Sequence, residues 1–249
     1  MNDVTTATHP TGRKIYFSEE DHKYIDENRV VYNSTTRIVH SLFPEFQKNM
    51  IAGFCAKNRG VQRETILQEW QETADKACDM GTRIHRYAEC KMLGIDVDVE
   101  ILPDEQQRIK NLEGFLITLD KYYELVETEK IIFCPRLRLS GTVDLIMQDK
   151  RTKQKAIFDW KTNKEIKKKD KYKKWGKMFL SHIPNCNFYH YSIQLGIYNK
   201  MLHDEKYGDF SNCTLGLFHI NNEGVDGHKI NYMENELNHI FEYISKLRG

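Results

Sequence analysis

Between Ser140 and Lys161 the chain reads S-G-T-V-D-L-I-M-Q-D-K-R-T-K-Q-K-A-I-F-D-W-K, two apolar runs around a polar turn from Gln148 to Gln154. That pattern predicts a β-hairpin. Side chains two apart on a strand share a face, so Asp159 and Lys161 point together while Trp160 enters the opposite, packed face. Asp144 on the partner strand can reach the same place. Two carboxylates beside a lysine are a poor choice for a hairpin that needs only stability, because buried charge must be compensated. Converging carboxylates bind a hard cation such as Mg2+ or Mn2+, the cation acidifies a bound water, and a neighbouring lysine orients the nucleophile or steadies the developing anion. Phosphodiester hydrolysis needs these parts. Burial would lower the pKa of Lys161 and the carboxylates would raise it, and the sequence leaves the balance open.

Two helices carry further candidates. In G-T-R-I-H-R-Y-A-E, His85 and Glu89 stand four apart and share one helical face. A lone helical histidine is more often structural than a ligand. In N-F-Y-H-Y-S-I-Q-L-G-I-Y-N-K-M-L, Gln194 and Tyr198 have the same spacing, with Ile193 and Ile197 read as core. Glu127 and Glu129 lie two apart on the strand V-E-T-E-K-I-I-F-C-P, which suits either a solvated edge or a place near the metal.

Taken in chain order, G-T-x-x-H (Gly81 to His85), G-x-x-D (Gly141 to Asp144), D-x-K (Asp159 to Lys161) and Q-x-x-x-Y (Gln194 to Tyr198) resemble the PD-(D/E)XK nuclease superfamily, and within it the RecB-type exonuclease branch. Each motif alone is weak, but four in order on the expected element types, over about residues 80 to 200, are strong together. Val143 stands where the family name has proline, as in the G-x-x-D form common in that branch. The opening D-H-K-Y, then S-T-T and Trp70, are similar to phage-encoded and mitochondrial genome-maintenance members.

The resemblance implies an α/β (α+β) fold in which helices flank a central mixed β-sheet, a restriction-endonuclease-like core with a helical N-terminal part. It implies Mg2+ or Mn2+ held by His85, Asp144, Asp159 and the backbone carbonyl of Trp160, with Lys161 orienting the water and Gln194 and Tyr198 holding the DNA phosphate or that water. A glutamate in the strand of Glu129 is frequent in the family. The activity implied is a metal-dependent, single-strand-preferring DNA exonuclease working in replication, repair or recombination. Relatives with an iron-sulfur cluster hold it with one early cysteine and a closely spaced late group. Cysteines 55, 78, 90, 134, 186 and 213 are widely separated with no C-x-x-C, so no cluster, zinc knuckle or disulfide scaffold is expected.

Residues 164 to 177, K-E-I-K-K-K-D-K-Y-K-K-W-G-K, carry net +6 within a chain of net +1, leaving −5 for the remainder. A charge run is usually solvated surface. Interleaved Tyr172 and Trp175 add stacking faces, so Lys167, Lys168, Lys169, Lys173, Lys174 and Trp175 read as a loop gripping single-stranded DNA.

Length and composition bound the rest. At 249 residues, 40% hydrophobic and 29% charged, the chain suits one soluble domain, and no apolar run approaches the roughly 20 residues of a membrane helix. The opening M-N-D-V-T-T-A-T-H-P lacks a basic start and an apolar stretch, so no secretion signal or membrane partner is expected. The expected location is the cytoplasm or nucleoid, or a host cytoplasm if the gene is viral. Residues 1 to 12 read as a loose tail, 13 to 80 as strands and a helical extension, and 81 to 249 as a catalytic core, all one domain from 13 onward. The same site would serve a structure-specific endonuclease. A binding module with an inactive site is a third class, and the completeness of Asp144, Asp159, Lys161 and Gln194 speaks against it.

Overall fold

The computed structural model describes residues 4–18, 21 and 23–247. In chain order these form β1 (Val4–Thr8), β2 (Lys14–Ser18), β3 (Lys23–Asp26), β4 (Val31–Ser34), α1 (Thr35–Ser41), α2 (Lys48–Arg59), α3 (Arg63–Leu93) and α4 (Gln106–Tyr122). Then follow β5 (Tyr123–Cys134), β6 (Leu139–Asp149), β7 (Lys155–Lys161), a 3-10 turn (Met178–Leu180), α5 (Asn187–Asp204), β8 (Thr214–Ile220), β9 (Val225–Ile230) and α6 (Glu234–Lys246). The strands make one mixed sheet flanked by helices, the architecture the resemblance implied.

One expectation needs correction. Residues 4–8 are not a loose tail: they pair antiparallel with β2, from Val4 opposite Ser18 to Thr8 opposite Lys14. V-T-T-A-T is rich in β-branched residues, but its polarity hid a strand whose stability comes from a partner ladder rather than from burial. Residues 1–3 of that segment lie outside the described residues.

The geometry around β6 creates the site. β5 runs antiparallel along one side of it, from Tyr123 opposite Asp149 to Cys134 opposite Leu139. On the other side β4 pairs in parallel only at Leu139 and Ser140, and β7 pairs only from Leu145 to Gln148. Asp144 therefore sits where β4 has turned away and β7 has not yet joined. The turn is set locally: Ser34 caps α1, its side chain accepting from the Arg37 amide at 3.2 Å, and Thr35 Oγ1 donates to the Ser140 carbonyl at 3.0 Å.

Two cores sandwich the sheet. α1, α5 and α6 cover one face with Ile38, Ile193, Ile197 and Ile240 against Val143, Ile146 and Ile157. α3 and α4 cover the other with Ile84, Ile109 and Leu112 against Leu145, Phe158 and Trp160. Val143 and Ile146 are three apart yet pack in the same core, while Leu145 and Met147 pack in the other. Strict alternation would separate Val143 from Ile146, so the pleat shifts phase at Asp144. The facing strand bends there too, because Glu129 adopts the left-handed conformation (φ +47°). Among the described residues no helix is long and apolar enough to cross a membrane.

Candidate active site

The hairpin of β6 and β7 brings Asp144 opposite Asp159, one step beyond the Leu145–Phe158 pair. The strands splay at this step, and the Trp160 amide donates to Asp144 Oδ2 at 3.1 Å. Trp160 itself is buried against α4, as its period-two position required. Asp159 is 2% exposed, and its Oδ2 lies 2.5 Å from Lys161 Nζ. That ion pair is its counter-charge, for no hydrogen bond of good geometry reaches Oδ2 among the described residues.

The long helix α3 supplies His85, whose Nδ1 stands 3.4 Å from Asp144 Oδ2. Helix and sheet can approach because Gly81, the first residue of G-T-x-x-H, has no side chain: a Cβ there would stand 3.3 Å from Thr162 Oγ1, just past the end of β7. Arg108 of α4 fixes that strand end, donating to the Thr162 carbonyl at 3.3 Å and the Ile220 carbonyl at 2.6 Å.

Glu129 completes the group. Thr128 pairs with Leu145 and Lys130 with Val143, which puts Glu129 directly across from Asp144. One ligand atom from each of His85, Glu129 and Asp144 lies within 4.8 Å of the others. Neighbouring ligands on an ion with bonds of about 2.1 Å stand about 3 Å apart, so a small closure of this trio would fit Mg2+ or Mn2+. Asp159 is not in the tight trio. It faces Lys161, and the structure thus divides the predicted set into a ligand cluster and an ion pair beside it.

The electrostatics suit a cation. Burial, reinforced by the Lys161 charge, holds His85 well below the ordinary imidazole range, at about 4, so the ring is neutral at pH 7 and free to ligate. Its side chain keeps 27% exposure, an open edge on a ring otherwise crowded by protein. Burial raises Asp144 against the opposing pull of Lys161 and the Trp160 amide. Asp159 is pushed up to about 6, chiefly by burial, with Lys161 working against the shift and Asp144 adding to it. For Lys161 burial would lower the pKa, but Asp159 and then Asp144 outweigh it and hold the ammonium above its usual value. The balance left open by the sequence thus falls to the carboxylates, and Lys161 is a fixed positive charge. An added divalent ion would relieve the crowded carboxylates. Neutral imidazole, clustered oxygens and the poorly satisfied Asp159 Oδ2 all fit such an ion.

α5 brings Gln194 and Tyr198 to the same face, with different fates. Gln194 is half-buried and donates from Nε2 to Tyr198 Oη at 2.9 Å and Thr36 Oγ1 at 3.4 Å. Tyr198 is 3% exposed, its ring lying against Gly141. In this arrangement the Tyr198 hydroxyl lies beneath Gln194 and accepts from it. The glycine of G-x-x-D is explained by the same packing, since the ring occupies the space a side chain would need.

The lysine block forms an irregular loop between Thr162 and Lys177. Lys167, Lys168, Lys169 and Lys173 are exposed, Lys174 is half-buried and Trp175 is exposed while bridging to Pro184. Asn187 ties the loop base to the start of α5, accepting from the Lys167 amide at 2.8 Å and donating to the Glu165 carbonyl at 2.8 Å. Asn187 also lines a cleft with Thr36, His40, His190, Tyr191 and Gln194, so the lysine loop opens toward the Gln194 side of the site. Of the residues now seen at the site, Glu129 was weighed on strand spacing and on the frequency of a glutamate there in the family, Thr36 stood within the S-T-T of the resemblance, and Tyr191 carried no local signal of function.

The chain belongs to the PD-(D/E)XK nuclease superfamily, whose family model matches residues 16–248. A solved structure similar to it is a Eubacterium rectale protein titled "Putative exonuclease", with a TM-score of 0.35 and 11% identity over 82% of this chain. The chain spans 65% of that neighbour's length. No curated protein matches the chain.

Proposed function

We propose that this protein is a Mg2+- or Mn2+-dependent DNA nuclease that digests single strands from an end. The observation that carries the reading is the meeting of His85, Glu129 and Asp144 next to the buried Asp159–Lys161 pair. PD-(D/E)XK nucleases use divalent metals, and in this chain the ion would be held by His85, Glu129 and Asp144, with Asp159 and the Trp160 carbonyl beside them. When bound, it supplies a Lewis acid for the phosphate and an acidified water.

The chain's own groups do the rest. Asp159 pins the Lys161 ammonium, which stays protonated and so neutralises charge building on the scissile phosphate rather than removing a proton. Gln194, steadied by Tyr198, offers an amide to orient water or phosphate. The lysine loop attracts the backbone, and Trp175 and Tyr172, 47% and 73% exposed, provide faces for unpaired bases.

A time course on end-labelled single- and double-stranded DNA with Mg2+, Mn2+ or EDTA tests this. Cutting should require metal, favour single strands and spare single-stranded circles. Cleaved circles would make the enzyme an endonuclease, and stable complexes without product would make it a binding module. Wild-type digestion by Asp159→Ala or Lys161→Ala would remove the site assignment altogether.

A further inference from the structure

Lys161 is held on two sides, and only one of them is the carboxylate. Its Nζ stands 4.6 Å from the centre of the Tyr191 ring, three residues ahead of Gln194 on α5. The Tyr191 hydroxyl donates to Asn163 Oδ1 at 2.8 Å. Asn163 is fixed in turn, its backbone carbonyl 2.6 Å from His219 Nε2. A carbonyl can only accept, so Nε2 carries a proton, and Asn221 Nδ2 lies 3.5 Å from Nδ1. His219 is 6% exposed and pairs with Lys161 in the parallel ladder of β7 and β8. A continuous set of contacts therefore runs from β8 through Asn163 to the ring and ends at the ammonium.

A lysine side chain has a flexible four-carbon stem, and one ion pair leaves the ammonium free to swing about its carboxylate partner. The negative face of an aromatic ring attracts the ammonium on a second side without offering a proton acceptor. We propose that Tyr191 is a positioning residue that carries the Lys161 ammonium on its ring face, its own orientation set by Asn163 and His219. The inference rests on the nuclease reading for its catalytic consequence, though the contact itself does not. It makes the ring the essential feature and the hydroxyl the means of aiming it. Tyr191 also lines the cleft shared with Gln194 and Thr36, so its outer edge faces the side from which the lysine loop opens.

Tyr191→Leu removes the ring and Tyr191→Phe keeps it. Measured under saturating Mn2+, Tyr191→Leu should lose about tenfold in kcat, equivalent to about 1.4 kcal/mol, with KM and oligonucleotide affinity in EDTA little changed. Tyr191→Phe should stay within about threefold of wild type. Asn163 is exposed, so Asn163→Ala loosens the ring without disturbing the core and should give a partial kcat loss. In protein with 13C-labelled lysine, the Lys161 Hε resonance should be shifted by the ring in wild type and Tyr191→Phe and return to the ordinary lysine position in Tyr191→Leu. An unshifted Lys161 resonance in wild type, unchanged kcat in Tyr191→Leu, or Tyr191→Phe falling as far as Tyr191→Leu would overturn the proposal. Wild-type protein that cuts no DNA with either metal would defeat the nuclease reading instead, and the resonance would still decide the contact.

Discussion

Replacing Gly141 by alanine tests how the motif glycine holds the site. A Cβ there would stand 2.5 Å from Cε1 of Tyr198, 3.0 Å from its hydroxyl oxygen and 3.1 Å from Cζ. Carbon contacts are comfortable at about 3.5–4.0 Å, so ring and strand must part by about 1 Å. Tyr198 is 3% exposed in a packed core, and overpacking of this kind costs about 1–3 kcal/mol. For 249 residues the unfolding entropy is about 0.5 kcal/mol/K, so Gly141→Ala should lower Tm by about 2–6 °C. The displaced ring carries Gln194 with it through their 2.9 Å hydrogen bond, so cutting should slow as well. Thermal unfolding of a double-mutant cycle isolates the clash. In a Tyr198→Ala background the three contacts that crowd the new methyl are gone, and alanine's smaller unfolded-state entropy should make Gly141→Ala neutral or slightly stabilising. Equal losses of Tm in both backgrounds would refute the packing argument.

Three further outcomes follow from the same geometry. Glu129 carries a left-handed backbone, a strain of about 1 kcal/mol that glycine would relieve, so Glu129→Gly should melt no lower than wild type while its Mn2+-induced Tm rise shrinks. An undiminished rise would exclude Glu129 as a ligand. Changing Lys167, Lys168, Lys169 and Lys173 to glutamine should flatten the salt dependence of single-strand binding by up to about 2–3 in log–log slope, read by fluorescence anisotropy, and an unchanged slope would mark the loop as solvated surface only. His190 is lowered by burial, then by His40, to about 4. Since its folded pKa lies below its unfolded one near 6.5, the unfolded chain takes up the proton first, and stability falls as pH drops from about 6.5 to about 4 before levelling. His190→Gln should lose that component, about 1–3 kcal/mol by the difference in denaturant midpoints across this window, and parallel curves for both proteins would rule it out.

Local patterns were the legible part of this molecule. The facing of Asp159 and Lys161 away from Trp160 and the shared helical face of Gln194 and Tyr198 depend on dihedral periods and nearest neighbours, which residue types reveal directly. Residues 4–8 were misread because a polar β-branched run becomes a strand only when another strand is beside it.

The chain alone determined which groups with chemistry to offer lie on which elements. Tertiary structure decided which of them meet. Glu129 joins His85 and Asp144 because the β5–β6 register and a left-handed residue aim it there, and Tyr198 is sealed behind Gly141. Each of these outcomes depends on the mutual placement of segments tens of residues apart. Such placement is set by the packing of two cores and the splay of three strands around β6, neither of which leaves a period in the sequence.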